Sequence, residues 1–340
     1  MIPVVRGKLS RCGATGDSWG TTGLMETERA SPRYSDIDVW EPSDILDAMI
    51  EGQFTAVAAV RNARPAIERA ARAMEARLKQ GGRLIYAGAG TSGRLAVQDG
   101  AELIPTFNWP QDRLLLLMAG GKDALLRSVE GAEDEAEQAA RLMRQHRVAV
   151  GDVVIAVAAS GTTPFTLACQ REAKKQAALT IGIANNRGTP LLEEADHPIW
   201  LDTGPEAIAG STRMKAGTAQ RIAMNLLSSL VMIRLGRVYE GLMVDVQAVN
   251  QKLVRRSETM LQRLTGCNRD EAQGALRDAD GSVKLAVLLL QGCNRQQADA
   301  LLDRADGKLR TALASIGRES SLVPAPEIAS PSIQKNLVED

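Results

Sequence analysis

The chain has 340 residues, and its 41 lysines and arginines balance 41 aspartates and glutamates, so the formal net charge is zero. This balance gives no argument for a polybasic surface that binds nucleic acid or a membrane, and the low aromatic content, 3%, weakens any proposal of base stacking. A chain of 340 residues is long enough for one large domain and a smaller one.

Four cysteines, Cys12, Cys169, Cys267 and Cys293, are scattered without a C-x-x-C pair. This spacing indicates neither a zinc site nor a disulfide framework, and we expect a reducing cytoplasm. No uninterrupted apolar run is long enough to predict a membrane span. Because the chain has only two histidines, acid–base chemistry would fall mainly to carboxylates, hydroxyls or lysines.

Apolar spacing predicts helices over 43–79, and strand-like runs follow them along the chain. These runs are LIYAG (84–88), LLLLMAG (114–120), VVIAVAAS (153–160), LTIGIAN (179–185) and PIWLD (198–202). Helical stretches at 95–103, 122–145 and 164–175 separate the first four runs, and a shorter link joins the last two. This alternation predicts an α/β fold with a doubly wound, five-stranded parallel sheet. Ligands bind such sheets beyond the carboxyl ends of the strands.

Two long helices are predicted at 213–237 and 245–264, after which the chain repeats itself. TGCNRDEAQGALRDADG (265–281) matches QGCNRQQADALLDRADG (291–307). Each copy carries small helical elements that end at a glycine. The repeat therefore predicts a small helical, UBA-like module, with packing or dimer support as its expected role and partner binding as the alternative.

The predicted domain organisation follows from these elements. Residues 25–264 would form the main domain, which contains the sheet and its flanking helices, and 265–316 would form the helical module. Residues 1–24 lack the apolar segment of a signal peptide and are expected to be a disordered extension. The tail over 317–340 is rich in proline and serine and is also expected to be disordered.

The first strand runs into a glycine-rich loop, Gly88-Ala89-Gly90-Thr91-Ser92-Gly93. Its G-x-G-x-x-G pattern is typical of dinucleotide sites, which also need an acidic residue at the end of the next strand to hold the ribose hydroxyl. The next strand here ends at Ala119-Gly120-Gly121 without an acid. The dinucleotide interpretation therefore loses most of its support.

A monophosphate site is the alternative for this loop. A glycine loop at a helix N-terminus offers free N–H groups and a favourable dipole to an anion, and Thr91 and Ser92 add hydroxyl donors. A second loop, Ser160-Gly161-Thr162-Thr163, precedes Pro164 and also ends at a predicted helix N-terminus. Each loop could be an ordinary capped turn, but two of them on one sheet favour a phosphate site.

The two loops, GTSG and SGTT, resemble the signature loops of sugar isomerase (SIS) domains, which bind phosphosugars. Further strings resemble one SIS family, the N-acetylmuramic acid 6-phosphate etherases. They are TERASPRYSDID (27–38), AGAGTSGRLAVQDGAE (87–102), VEGAED (129–134), GSTRMKAGTAQ (210–220), LMVDVQAVNQKL (242–253) and TGCNRDEA (265–272). The resemblance spans residues 25–316 and implies a phosphosugar substrate, no cofactor, no metal and a cytoplasmic homodimer.

The family's reaction removes D-lactate from C3 of N-acetylmuramic acid 6-phosphate. The resemblance implies that Glu102 is the proton donor and Glu133 the base, although composition alone would place Glu133 on a solvated acidic face. It also implies that the substrate is bound by Gly90, Thr91, Ser92, Gly93, Ser160, Gly161, Thr163, Ser211, Arg213 and Lys215. The last three could instead belong to an ordinary capped helix start, and Glu206 is a weaker candidate.

The sequence departs from the family pattern near the expected pocket. Thr162 stands where arginine is common, Ser31 where asparagine is usual, Gly52-Gln53 replaces Glu-Asp, and LIPTF (103–107) replaces a CPPTF-like string. These departures bear on substrate detail rather than on reaction class. Two other functions stay open: a SIS aldose–ketose isomerase, and a catalytically silent phosphosugar sensor similar to glucokinase regulatory protein.

Overall fold

The computed structural model describes residues 25–246 and 251–319 of the chain. The predicted disordered extension at 1–24 lies outside the described residues, as does most of the predicted tail at 317–340. The first three residues of that tail belong to the last helix, which ends at Glu319.

The sheet has five strands: β1 (Leu84–Gly88), β2 (Leu114–Met118), β3 (Val153–Val157), β4 (Leu179–Ala184) and β5 (His197–Trp200). They are parallel and lie in the order β2-β1-β3-β4-β5. All residues of β1, β3 and β4 are buried, as expected for parallel strands covered on both faces. The prediction of a doubly wound, five-stranded parallel sheet is confirmed.

Helices cover both faces of this sheet. They are α1 (Pro42–Lys79), α2 (Gly90–Phe107), α3 (Ala136–Gln145), α4 (Pro164–Lys175), α5 (Pro190–Glu193) and α6 (Lys215–Arg234). Tyr86 of β1 belongs to the apolar cluster formed with α1, α2 and α6, whereas its neighbour Ile85 belongs to the cluster formed with α3 and α4. The alternation of side chains along each strand thus divides the core into two layers.

Helix α2 is longer at both ends than the predicted 95–103 helix. It begins at Gly90, inside the first glycine loop, and continues through Pro105 to Phe107. A Cβ atom added at Gly93 would lie 2.7 Å from the carbonyl oxygen of Gly88, so the missing side chain lets the helix approach β1 closely. Close packing of this kind outweighs the low helix propensity of glycine.

The single helix predicted over 122–145 is wrong. Two 3₁₀ turns, Gly121–Leu125 and Ala132–Asp134, come first, and α3 begins only at Ala136. Gly131 adopts a φ of +70°, which an α-helix cannot include. Glu133 therefore lies in a 3₁₀ turn before the helix and not on its solvated face.

Five more helices follow: α7 (Gln251–Thr265), α8 (Arg269–Asp278), α9 (Val283–Leu290), α10 (Arg295–Arg304) and α11 (Leu309–Glu319). The sequence repeat appears as matching helix starts. Asn268 and Glu271 form a capping box at α8, and Asn294 and Gln297 form the same box at α10. The repeated N-R pair thus marks equivalent helix starts.

Helices α7 to α11, which we call the C-terminal helical cluster, have an apolar core of their own. Met260 and Leu261 of α7 pack into this core together with Leu276, Leu288 and Leu301. The predicted boundaries at 264/265 and at 316 remain a prediction. Helix α6 is shorter than the predicted 213–237 helix. The predicted helix start at 245 is wrong, because Asp245 and Val246 are not helical; residues 247–250 lie outside the described ranges, and α7 is described from Gln251 to Thr265. No helix in the described ranges is long and apolar enough to cross a membrane.

Candidate active site

The two predicted phosphate loops lie side by side. Strand β1 has β2 on one side and β3 on the other, so the order of the strands reverses between β1 and β3. The loops follow these two strands at their carboxyl ends, and a Cβ atom added at Gly88 would lie 3.0 Å from the carbonyl oxygen of Val157. In open α/β sheets this reversal point is where a crevice for ligands forms.

The first loop ends directly in helix α2. Ala89 is extended, Gly90 has a φ of +53°, and the amide of Gly93 makes the first helical bond, donating to the carbonyl of Ala89 at 2.9 Å. The earlier N–H groups of the first turn have no acceptor within the helix, which leaves them for an anion. Thr91 is half-buried and Ser92 is buried. The loop therefore offers backbone donors, with Thr91 as its more accessible hydroxyl.

The second loop brings its hydroxyls together before helix α4. Ser160 Oγ lies 3.3 Å from Thr163 Oγ1, and the amide of Thr162 donates to Ser160 Oγ at 3.2 Å. Gly161 has a φ of +72°, and its carbonyl accepts from the amide of Leu191 at 3.1 Å. Ser160 and Thr163 thus converge on one side of a turn that α5 holds in place.

Sequence reasoning missed a polar cluster that supports the second loop. The side-chain amide of Asn186 donates to the carbonyl of Ala159 and to Thr27 Oγ1, both at 2.9 Å, and the amide of Thr27 donates to Asn186 Oδ1 at 3.2 Å. Thr27 is fully buried. The cluster ties the start of the described chain to the end of β4. The sequence signal that could have predicted this cluster is the polar pair Asn185-Asn186, which directly follows a buried strand.

The structure brings Glu133 to the first loop. A Cβ atom added at Gly90 would lie only 2.7 Å from Glu133 Oε1. The carboxyl group therefore sits against the start of α2 and needs the glycine there. Glu133 itself is exposed to solvent.

Glu102 lies further along the same helix. Its position on α2 is about 18 Å from Gly90 at a rise of about 1.5 Å per residue. The helix continues for another turn beyond Glu102, to Phe107, and so extends past the predicted end at residue 103. Glu102 is exposed like Glu133. One helix thus connects the first loop to Glu102.

The GSTRMKAGTAQ segment forms the start of α6, next to the first loop. A Cβ atom added at Gly217 would lie 3.5 Å from the methyl group of Thr91. Ser211 is half-buried and Arg213 is exposed on the preceding turn, while Lys215 is buried. The three side chains predicted to contact the substrate therefore differ in their exposure to solvent.

Glu206 caps helix α6. Its carboxylate accepts from the backbone N–H groups of Lys215 at 3.2 Å and Ala216 at 2.9 Å. Burial raises the pKa of Glu206 above its usual value against the opposing effect of these two donors. Burial also lowers the pKa of Lys215, against the attraction of Glu206. The helix start therefore keeps a buried acid beside a buried base.

Two of the departures from the family pattern contact this helix start. Gln53 Oε1 accepts from Thr218 Oγ1 at 2.6 Å. A Cβ atom added at Gly52 would lie 3.8 Å from Lys215 Cδ, so the lysine chain passes close to α1. Within the described ranges, no group of three or more His, Cys, Asp or Glu residues is arranged to hold a metal ion.

Adjacent glycine- and hydroxyl-rich loops at the reversal point of a five-stranded parallel sheet define a SIS-type domain. Residues 66–190 match the family model of the glucokinase regulatory protein N-terminal SIS domain. Over 270 residues the chain is 49% identical to the N-acetylmuramic acid 6-phosphate etherase of Deinococcus radiodurans, which covers 79% of this chain and 88% of that relative. The chain belongs to the N-acetylmuramic acid 6-phosphate etherase family.

Other relatives agree with this assignment. The etherase of Streptomyces coelicolor is 44% identical over 266 residues, which cover 78% of this chain and 86% of that one. Among solved structures, a phosphoheptose isomerase from Francisella tularensis covers 57% of this chain and 98% of its own, with 22% identity and a TM-score of 0.43. That structural likeness carries no weight in the assignment, which rests on the etherases.

Proposed function

We propose that this protein is a carbon–oxygen lyase that cleaves the lactyl ether of N-acetylmuramic acid 6-phosphate, giving N-acetylglucosamine 6-phosphate and D-lactate. The observation that carries the proposal is the position of Glu133, whose carboxyl group lies against Gly90 at the first loop. The helix that begins there also carries Glu102. Membership of the etherase family supports the same reaction.

The reaction needs one base and one acid. Ring opening exposes an aldehyde at C1, which acidifies the proton at C2. Glu133 removes that proton, and the bond between C3 and the ether oxygen breaks. Glu102 protonates the departing lactate oxygen; because Glu102 lies about 18 Å along α2 from the first loop of its own chain, the Glu102 that serves this site would come from a second copy of the chain. Water then adds across the C2–C3 double bond, with its oxygen at C3 and a proton returned to C2. Each carboxyl group used in this way typically contributes about 10²–10⁴-fold to the rate.

The two loops would hold the 6-phosphate. Backbone N–H groups of Gly90, Thr91 and Ser92 at the start of α2 suit the anion, and the dipole of an 18-residue helix favours it. Ser160 and Thr163 add hydroxyl donors from the neighbouring strand end. Ser211 and Arg213, ahead of α6, are the proposed contacts for the rest of the sugar.

Glutamine variants of the two carboxyl groups test their roles. We expect Glu102→Gln and Glu133→Gln each to lower D-lactate release from N-acetylmuramic acid 6-phosphate by about 10²–10⁴-fold, because a neutral amide neither accepts nor donates the required proton. Binding of N-acetylglucosamine 6-phosphate, measured by calorimetry, should stay within a few-fold of wild type. Glu130→Gln changes an exposed acid in the same segment and serves as the control. Unchanged turnover in either variant would contradict its assigned role.

A silent phosphosugar sensor is the second candidate, favoured by the match of residues 66–190 to the glucokinase regulatory protein SIS domain. The lactate assay separates the two functions. Tight binding of N-acetylmuramic acid 6-phosphate by the wild-type protein without any release of lactate would favour the sensor. Formation of a ketose phosphate instead would favour an isomerase.

We also propose that the protein acts in the cytoplasm as a homodimer. The support for the dimer comes from α1, where four apolar side chains are exposed at helical spacing: Leu46, Ile50, Phe54 and Val57. We call this face the α1 stripe. Residues spaced by three and four lie on one side of a helix, and a row of large apolar groups in water is typical of an interface. A second copy of the chain would cover it.

A further inference from the structure

The last turn of α2 depends on groups outside the helix. Pro105 has no N–H, so the carbonyl of Ala101 loses its partner within the helix. Asn108 has a φ of +50°, and the amides of Asn108 and Trp109 donate to the carbonyls of Ile104 at 2.9 Å and Leu103 at 3.2 Å. The helix thus ends in a left-handed cap directly after a proline-weakened turn. Glu102 lies just before this turn.

Arg237 binds the end of this helix. Its Nη1 donates to the carbonyl of Phe107 at 2.7 Å and to that of Asn108 at 3.0 Å. The guanidinium carbon also lies 5.2 Å from the centre of the Trp109 ring, and Trp109 is almost fully buried. A cation at these carbonyls is favoured by the helix dipole as well as by hydrogen bonding. Arg237 therefore fixes where the last turn of α2 lies.

The C-terminal helical cluster holds Arg237 in turn. Asp245 Oδ2 lies 3.5 Å from Arg237 Nη1, and Asp245 Oδ1 lies 2.7 Å from Lys284 Nζ. Lys284 belongs to α9 and is buried. An ion chain Lys284–Asp245–Arg237 thus runs from α9 to the carbonyls at the end of α2. Charges shielded from water interact more strongly than those on a surface.

From this chain of contacts we infer that Lys284 is a positioning residue for Glu102. It neutralises and orients Asp245, Asp245 orients Arg237, and Arg237 sets the last turn of the helix that carries Glu102. The inference rests on the proposed role of Glu102 as proton donor. It gives the C-terminal helical cluster a part in catalysis, since a small misplacement of a catalytic group, about 1 Å, can cost about 10²-fold in rate.

Lys308 supplies a matched control. It also joins the C-terminal helical cluster to the main body, but its Nζ lies 3.8 Å from Glu75 of α1 and not near α2. Replacing either lysine by methionine keeps the aliphatic chain and removes the charge. Both variants weaken attachment of the cluster, but only Lys284→Met breaks the ion chain to α2.

The test compares Lys284→Met, Lys284→Arg and Lys308→Met in the full chain. We expect Lys284→Met to lower kcat for lactate release by about 10-fold or more, with KM and the affinity for N-acetylglucosamine 6-phosphate within about 2-fold of wild type. Lys284→Arg should recover most of the rate, and Lys308→Met should keep it. Hydrogen–deuterium exchange of the peptide over 101–109 should be faster in Lys284→Met than in Lys308→Met.

Three results would overturn the inference. They are equal exchange over 101–109 in the two methionine variants, a kcat that falls equally in both, and a kcat that is unchanged in Lys284→Met. Because exchange needs no turnover, it tests the ion chain even if the wild-type protein releases no lactate. Absence of lactate release from the wild type would contradict the proposed function, whereas normal wild-type turnover with an unaffected Lys284→Met would contradict the positioning role alone.

Discussion

Gly161 packs closely against Thr189 in the second loop. A Cβ atom added there would lie 2.1 Å from Thr189 Oγ1 and 2.7 Å from Thr189 Cβ, and its φ of +72° already disfavours a side chain. Thr189 is buried and branched at Cβ, so it has little freedom to turn away. The loop also sets the 3.3 Å approach of Ser160 to Thr163. The absence of a side chain at Gly161 is therefore required for the loop conformation that makes the proposed phosphate contacts.

Substitution of this glycine tests that dependence. We expect Gly161→Ala to lower the free energy of unfolding by about 2–4 kcal/mol, combining overpacking with left-handed strain, and to weaken binding of N-acetylglucosamine 6-phosphate. Gly121→Ala is the matched control, because Gly121 has a φ of +67° but no atom within 4 Å of the added Cβ. Its free energy of unfolding should fall only by the cost of the left-handed strain, about 1–2 kcal/mol. Urea unfolding measures both, and equal losses would contradict the steric argument.

Single residues of the site could be predicted from motifs, but the burial of their side chains could not. The pattern identified the first loop, where Thr91 and Ser92 follow the glycines, yet Ser92 is buried and Thr91 is not. Lys215 was predicted to contact the substrate as a cation at a helix start. The structure buries it, and its backbone N–H donates to the capping carboxylate of Glu206. Burial depends on α1 packing across α6, a contact between segments far apart in sequence.

At the scale of elements, Asp152 joins the amino ends of β1 and β3. Its carboxylate accepts from the backbone amide of Arg83 at 3.0 Å, from the Arg83 guanidinium at 2.6 and 3.1 Å, and from the amide of Ala149 at 2.9 Å. Burial acts to raise the pKa of Asp152, but these bonds outweigh it and hold the pKa below its usual value. The ionised form is therefore the one that stabilises the sheet.

This predicts the pH dependence of an Asp152→Asn variant. At neutral pH we expect it to lower the free energy of unfolding by about 3 kcal/mol, as expected for a buried pair that loses one partner. An acid whose folded-state pKa is depressed contributes stability above its unfolded value, about 3.9, and loses it as pH falls through the folded value. The difference from wild type should therefore persist down to about pH 5 and shrink steadily below about pH 4.

Urea unfolding across this pH range checks the prediction. Asp123→Asn removes an exposed carboxylate that pairs with Arg127 at 2.9 Å, and it should change the free energy of unfolding by less than about 0.5 kcal/mol at any pH. A deficit in Asp152→Asn that is the same at about pH 3 as at pH 7 would show that the charge of Asp152 is not what stabilises the sheet.

Elements were predictable where a local pattern decided them. The five strands were found because buried apolar runs stand out, and their parallel order followed from the helices between them. The prediction of a single helix over 122–145 was wrong because the acidic and apolar residues fit a helix, whereas Gly131, with a φ of +70°, interrupts it. The far end of α2 was missed because Pro105 reads as a stop, although Arg237 and a left-handed cap support the turn beyond it.

At the scale of the whole molecule, α1 has two opposite faces. Its inner face packs on α6 and the sheet through small residues such as Ala56, Ala59 and Ala63. Its outer face carries the α1 stripe, with Phe54 70% and Leu46 60% exposed. Small inner residues let the helix lie close to the core, and large apolar residues outside have nothing in the described chain to cover them. A second copy placed on this face would bury them.

A charge in the middle of the stripe tests this assembly. We expect Phe54→Glu to weaken dimerisation by about 30-fold or more, because the carboxylate would have to be desolvated within an apolar interface and the aromatic anchor would be lost. Sedimentation and light scattering of the wild-type chain should give twice the 36.4 kDa mass of one copy, and those of Phe54→Glu should give a single mass at micromolar concentration. Leu126→Glu alters a side chain that is 94% exposed and lies outside α1, and should leave the dimer intact. A wild-type monomer, or a Phe54→Glu variant as dimeric as Leu126→Glu, would show that the α1 stripe is not the interface.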